Sequence, residues 1–151
     1  MNIWVDADAC PNAVKEVIFR AAERRQVTTT LVANQYIRTP PSKVIRSIQV
    51  EQGFDVADNA IVANLSSGDL VVTADIPLAA EVVAQGAVAL NPRGTLYTKE
   101  NVRDHLQRRD MMEELRSIGT VSGGPKILEK QDVQRFANAL DRYLTMVKGQ
   151  N

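Results

Sequence analysis

Apolar positions along residues 1–92 switch between two spacings. Ile3-Trp4-Val5, continued by Ala7, reads as a short strand that is interrupted by Asp6. After Asp8-Ala9-Cys10-Pro11, the residues Val14, Val17, Ile18, Ala21 and Ala22 recur at helical spacing, with Lys15, Glu16, Arg20, Glu23 and Arg24 opposite them. This is the pattern of an amphipathic helix with a proline at its start. Residues 27–33 are β-branched and apolar and predict a second strand, so the chain opens β-α-β and the two strands must be parallel. Beyond Pro40-Pro41, Val44, Ile45, Ile48 and Val50 fit either a short helix running into a strand or a strand over 45–50; we take the strand. A helix over 59–65, a strand over 70–73, a helix from Asp75-Ile76-Pro77 to about Val83 and a strand over 87–90 follow, with Gly68 and Gly86 as stops.

From Asn91-Pro92-Arg93-Gly94 onward the pattern changes to a polar helix over about 99–116, a loop over 119–125, and a last helix. In that helix Val133, Phe136, Ala137, Leu140, Leu144 and Val147 make one stripe. Alternating strands and helices predict an α/β fold, a central mainly parallel sheet covered on both faces, with the C-terminal helices packed on it. The length of 151 residues suits one domain, an α/β core over 1–92 and a helical part over 93–151.

Composition narrows the chemistry. With 44% hydrophobic and 24% charged residues the chain is of ordinary globular type, and it has neither an apolar run long enough for a bilayer span nor a signal-peptide pattern; a cytoplasmic location is expected. The single cysteine, Cys10, makes no internal disulfide and no cysteine cluster, so any metal would need oxygen ligands. Net charge is zero, with a slight acidic excess in 1–92 and a basic one in 93–151, which suits an acidic site beside a basic flank and equally an ordinary solvated surface.

In an open parallel sheet, ligands bind where loops leave the carboxyl ends of the strands. Asp6 and Asp8 end the first strand, Asp75 follows the strand over 70–73, and Asp58 opens the helix before that strand. Like-charged carboxylates on one rim repel, and a hard divalent cation, Mg²⁺ or Mn²⁺, is the usual means of holding them together. The chemistry such a site supports is phosphodiester hydrolysis. Taken singly, Asp8, Asp58 and Asp75 also fit helix N-caps, each worth about 1 kcal/mol, whereas Asp6 has no helix of its own to cap.

Trp4-Val5-Asp6-Ala7-Asp8-Ala9-Cys10-Pro11, Asp55-Val56-Ala57-Asp58-Asn59, Gly68-Asp69-Leu70-Val71-Val72-Thr73-Ala74-Asp75-Ile76-Pro77, Asn91-Pro92-Arg93-Gly94 and Gly123-Gly124-Pro125 together resemble the uncharacterised bacterial YaiI/YqxD family over almost the whole chain. That family in turn resembles PIN-like domains, metal-dependent ribonucleases with a three-layer α/β/α architecture. The resemblance implies that Asp6, Asp58 and Asp75 hold a metal. It also implies that Asp8 assists as ligand or water-positioning base and that Thr73 orients a carboxylate or water. A further acid expected after the second strand has no counterpart, since residues 34–50 contain none.

The Asp6-x-Asp8 pair also resembles the first motif of haloacid dehalogenase phosphatases, whose late Asp-Asp pair is missing here. A non-catalytic nucleic-acid or protein binding module on the same scaffold is the second reading, ahead of the phosphatase. For phosphate contact the candidates are Arg38, Arg93, Arg108, Arg109 and Lys126, each equally readable as a solvated charge; Asn34, at a strand end, is a candidate for a water or ribose. With few aromatics, RNA as partner would be held through backbone and shape. Cys10 and the single histidine, His105, read as a buried thiol and a surface group. A homo-oligomer is compatible with the sequence.

Overall fold

The computed structural model describes residues 1–53, 55–120 and 127–149. Its first strand, β1 (Ile3–Asp6), gives way to a 3-10 turn over Ala7–Ala9 and then α1 (Asn12–Arg25). β2 (Thr29–Ala33), β3 (Ile45–Gln49), α2 (Val56–Asn64), β4 (Leu70–Val72), α3 (Ile76–Ala84) and β5 (Val88–Leu90) follow. The chain closes with β6 (Leu96–Tyr97), α4 (Val102–Ser117) and α5 (Lys130–Gly149).

The sheet order is β3-β2-β1-β4-β5-β6, parallel except for the last pair. Because β1 is bonded on both edges and covered on both faces, Ile3, Trp4 and Val5 are all buried, which is why it reads as a continuous apolar run. Ile3 and Val5 face one core, built with Val14 and Ile18 of α1 and Phe136 and Leu140 of α5. Trp4 faces the other, built with Ile61 of α2 and Leu78, Val82 and Val83 of α3. The result is three layers, α1 and α5 over the sheet and α2 and α3 beneath.

The polar helix α4 departs from the expectation that both C-terminal helices pack on the sheet. It buries no residue and lies along α3 instead, because its sequence offers no apolar stripe to a sheet. The short strand β6 was not expected. It pairs antiparallel with β5 across the Asn91–Gly94 turn, where the Asn91 N–H donates to the Thr95 carbonyl and the Gly94 N–H donates to the Asn91 carbonyl. Gly94 has φ 98°, and a Cβ there would lie 2.8 Å from the backbone of Arg135, so only glycine fits between the turn and α5.

Asp69, 1% exposed, ties this architecture together just before β4. Its Oδ1 accepts from the Asn2 N–H at 2.9 Å, and its Oδ2 accepts from Trp4 Nε1 at 3.1 Å and the Ser66 N–H at 3.0 Å. A buried carboxylate is tolerable only with such donors. At the amino-terminal rim of the sheet, Met1, Val27 and, from the end of α5, Lys148 line one shallow hollow. Among the described residues no helix is long and apolar enough to cross a membrane.

Candidate functional site

The chain leaves β1 for β2 on one side and returns through β4 toward β5 on the other, so the carboxyl ends of β1 and β4 flank a topological switch point. Asp6 is the last residue of β1, Thr73 directly follows β4, and Asp75 is the N-cap of α3. Buried Thr73 joins them: its Oγ1 donates to Asp6 Oδ2 at 2.9 Å and accepts from the Asp75 N–H at 3.0 Å. Asp75 Oδ1 in turn accepts from the Leu78 N–H at 3.0 Å, the capping bond that the sequence suggested for it. The Asp6 carboxyl lies above the usual carboxylate range. Burial is the main cause, the Thr73 hydrogen bond opposes it, and the charges of Asp75 and Asp8 add to it.

Asp58 stands elsewhere than expected. α2 begins at Val56, so Asp58 is the third residue of its first turn and caps nothing; the N-cap is Asp55, in the left-handed region at φ 63° and without a side-chain capping bond. Burial, reinforced by the charges of Asp6, Asp75, Asp55 and Glu81, pushes the Asp58 carboxyl up to about 6. Asp55, Asp58, Asp75 and Glu81 line one cleft of about 200 Å³ between α2 and α3, and Arg109 of α4 reaches the same cleft. Arg109 also bonds Asp110 and Glu113, at 3.0 Å each, so its charge is shared before it meets the cleft.

Neither Asp55 nor Glu81 stood among the sequence candidates. A helix over 59–65 leaves Asp55 outside it, whereas Glu81, one turn beyond Pro77, carries a usable signal in its helical spacing. The donor set is all oxygen and negative, the type a hard cation takes. Among the described residues, however, no three acidic, histidine or cysteine side chains are grouped closely enough to hold a metal between them.

The other candidates are engaged elsewhere, although the charge of Asp8 still reaches Asp6. Asp8 sits in the 3-10 turn and faces β2, its Oδ2 accepting from the Asn34 N–H at 2.7 Å and its Oδ1 from Gln35 Nε2 at 3.3 Å. It pins the loop after β2 and caps no helix. Arg38 lies along α1, in a hollow away from the acids. Arg93 Nη1 bonds Asp132 Oδ2 at 2.7 Å, joining the β5–β6 turn to the start of α5. Lys126 and the loop over 123–125 lie outside the described residues. Cys10 is buried, and burial pushes its thiol up to about 12, which makes it an inert core thiol. His105 is half-buried, its ring edge-on to Tyr97 at 5.0 Å, so it helps to seat α4 rather than standing free at the surface.

No solved structure matches this chain. Among named proteins it is 67% identical over 144 residues to a UPF0178 protein of Shewanella amazonensis, covering 95% of this chain and 97% of the relative. It is 62% identical to a UPF0178 protein of Dechloromonas aromatica, over 97% of this chain and 98% of that one. With a UPF0178 protein of Klebsiella pneumoniae the identity is 59%, over 99% of each. The family described as "Uncharacterized BCR, YaiI/YqxD family" matches residues 4–146, and the chain belongs to that family.

Proposed function

We propose that this protein is a divalent-metal-dependent phosphodiesterase of PIN-like type acting on RNA. The observation that carries this reading is the convergence of Asp6, Asp58 and Asp75 at the switch point between β1 and β4, where burial first and then the charges of its neighbours push Asp58 up to about 6. A carboxylate set strained in this way gains most from a Mg²⁺ or Mn²⁺ ion. Among the described residues no three acids are grouped closely enough to hold a metal between them, so a cation would be held in the Mg²⁺ manner, by one or two of these carboxylates completed by water.

A bound cation would supply an acidified water and neutralise charge on the phosphate. The chain's own residues prepare for it. Thr73 spends its proton on Asp6 Oδ2, fixing that carboxylate and leaving Oδ1 to face a ligand. Asp75 gives Oδ1 to the helix cap and keeps Oδ2 for the cleft. Asp58, whose carboxyl burial and neighbouring charges push up to about 6, would be the carboxylate most relieved by a bound cation. Arg109 is placed to meet a phosphate oxygen at the cleft mouth.

The test is Mn²⁺ titration by calorimetry on the wild type and on Asp6→Asn/Asp75→Asn, beside cleavage of single-stranded RNA. Metal binding and metal-dependent cleavage in the wild type, both lost in the double variant, are expected. No binding by the wild type would end the metal site. A second reading, a non-catalytic binding module, is favoured by the engagement of Asp75 Oδ1 as a helix cap and by the lack of a tight acid group. On that reading Arg93→Ala and Lys126→Ala weaken ligand binding while Asp75→Asn leaves it intact.

A further inference from the structure

Away from the acids, the outer face of α1 and the segment over 36–41 enclose two adjoining hollows of about 710 and 310 Å³, which share Glu16, Phe19 and Arg38. Lys15, Arg20, Arg24 and Arg38 bring positive charge to them against Glu16 and Glu23. Arg24 is drawn toward Asp141, whereas Lys15, Arg20 and Arg38 enter no ion pair among the described residues. Phe19 and Pro40 supply an apolar floor, and Tyr36, 76% exposed, stands at the rim. The segment that carries Tyr36 and Arg38 leaves β2 at Asn34, where Asp8 bonds it beside Asp6. The segment that walls the groove is thus anchored at the rim that bears Asp6.

We infer that this groove is the track for a single-stranded RNA, with backbone phosphates on Arg20, Arg38 and Lys15 and one base stacked on Tyr36. The inference rests on the phosphodiesterase reading for its choice of polymer; the groove itself is defined by charge and shape. An exposed aromatic beside unpaired cations matches the alternation of base and phosphate in a single strand. A fully basic partner surface is not needed for this. The two glutamates restrict phosphate contact to the three free cations and so predict a low salt dependence.

The experiment is fluorescence anisotropy of a labelled oligouridylate of about 12 nucleotides in EDTA, across a salt series, so that no cleavage occurs. Arg20→Ala/Arg38→Ala is expected to weaken binding at least tenfold and to lower the log–log salt slope by about 1.4, since each lost phosphate contact on a single strand removes roughly 0.7. Tyr36→Ala should weaken binding about tenfold with the slope unchanged, and Lys148→Ala, which removes an exposed cation at the amino-terminal rim, should bind as the wild type does. All four exposed positions are tolerant of truncation, which circular dichroism checks. Wild-type binding that the double variant leaves intact overturns the groove, as does failure of the wild type to bind. Equal competition by oligoglutamate, with no effect of Tyr36→Ala, would also overturn it in favour of an acidic protein partner. Groove variants that bind poorly but still cleave at saturating RNA leave the phosphodiesterase standing, and intact binding without metal-dependent cleavage removes the phosphodiesterase alone.

Discussion

Replacing Asp58 by asparagine tests the electrostatics of the acid centre directly. The displacement of its carboxyl from 3.8 to about 6 corresponds to about 3 kcal/mol if borne entirely by the folded state. Asp58 is only half-buried, and solvent screening reduces the penalty to ~1 kcal/mol. Since the folded value lies above the unfolded one, the penalty is absent below about pH 4, grows as the unfolded chain ionises first, and is complete above about pH 6.5. Asp58→Asn keeps the shape and removes the charge. In EDTA the variant should therefore match the wild type at pH 3.5–4 and exceed it by ~1 kcal/mol at pH 8. Urea unfolding followed by the fluorescence of Trp4, the sole tryptophan and a buried one, provides the measurement. Adding Mn²⁺ at about 100 times its dissociation constant should raise the wild type by ~2.7 kcal/mol and the variant by clearly less, reversing their order. A variant no more stable than the wild type at pH 8 in EDTA would show that Asp58 is neither crowded by charge nor desolvated, and the reasoning behind the metal centre would fail.

Asp69 should behave in the opposite way, as a group the fold depends on. Asp69→Asn leaves one of its three donors facing an amide NH₂ and should cost about 2 kcal/mol; Asp69→Ala strands all three and should cost about 4 kcal/mol, both read from urea midpoints. Equal costs would mean that the carboxylate's second oxygen contributes nothing. With its thiol at about 12, Cys10 should react with a disulfide reagent at pH 8 roughly a thousandfold more slowly in the folded protein than in urea.

Much of this molecule is readable in its residues because the relevant signals are local. The opening strand, α1 and the capping role of Asp75 all follow from spacing within a few positions. What escaped depends on contacts far apart in sequence or on small backbone deviations. Asp6 and Asp8 would share a face if the strand continued, but the 3-10 turn at Ala7 breaks the two-residue period and sends Asp8 to Asn34. The left-handed conformation at Asp55, a non-glycine, let α2 start three residues earlier than its apolar pattern implied. Strand β6 has two residues, too few for periodicity, although a Pro-Arg-Gly turn followed by Thr95-Leu96-Tyr97 carried a hairpin signal. The anchoring role of Asp69 is not legible locally, because its partners Asn2 and Trp4 lie 67 and 65 positions away.

The hollow shared by Met1, Val27 and Lys148 has a practical consequence for handling the protein. Both described ends of the fold emerge at the amino-terminal rim of the sheet, the side away from Asp6 and Thr73. A tether, an affinity tag or a surface linkage at either end would therefore leave the acid cleft facing solution. A short peptide joining the two ends would span little distance, making the chain suited to circular permutation, with new termini cut into the exposed stretch at 51–53. Such a permutant would separate β1 from β4 across the new ends while keeping the order of strands in the sheet. It would thereby test whether the two aspartates at the switch point need chain continuity or only adjacency in space.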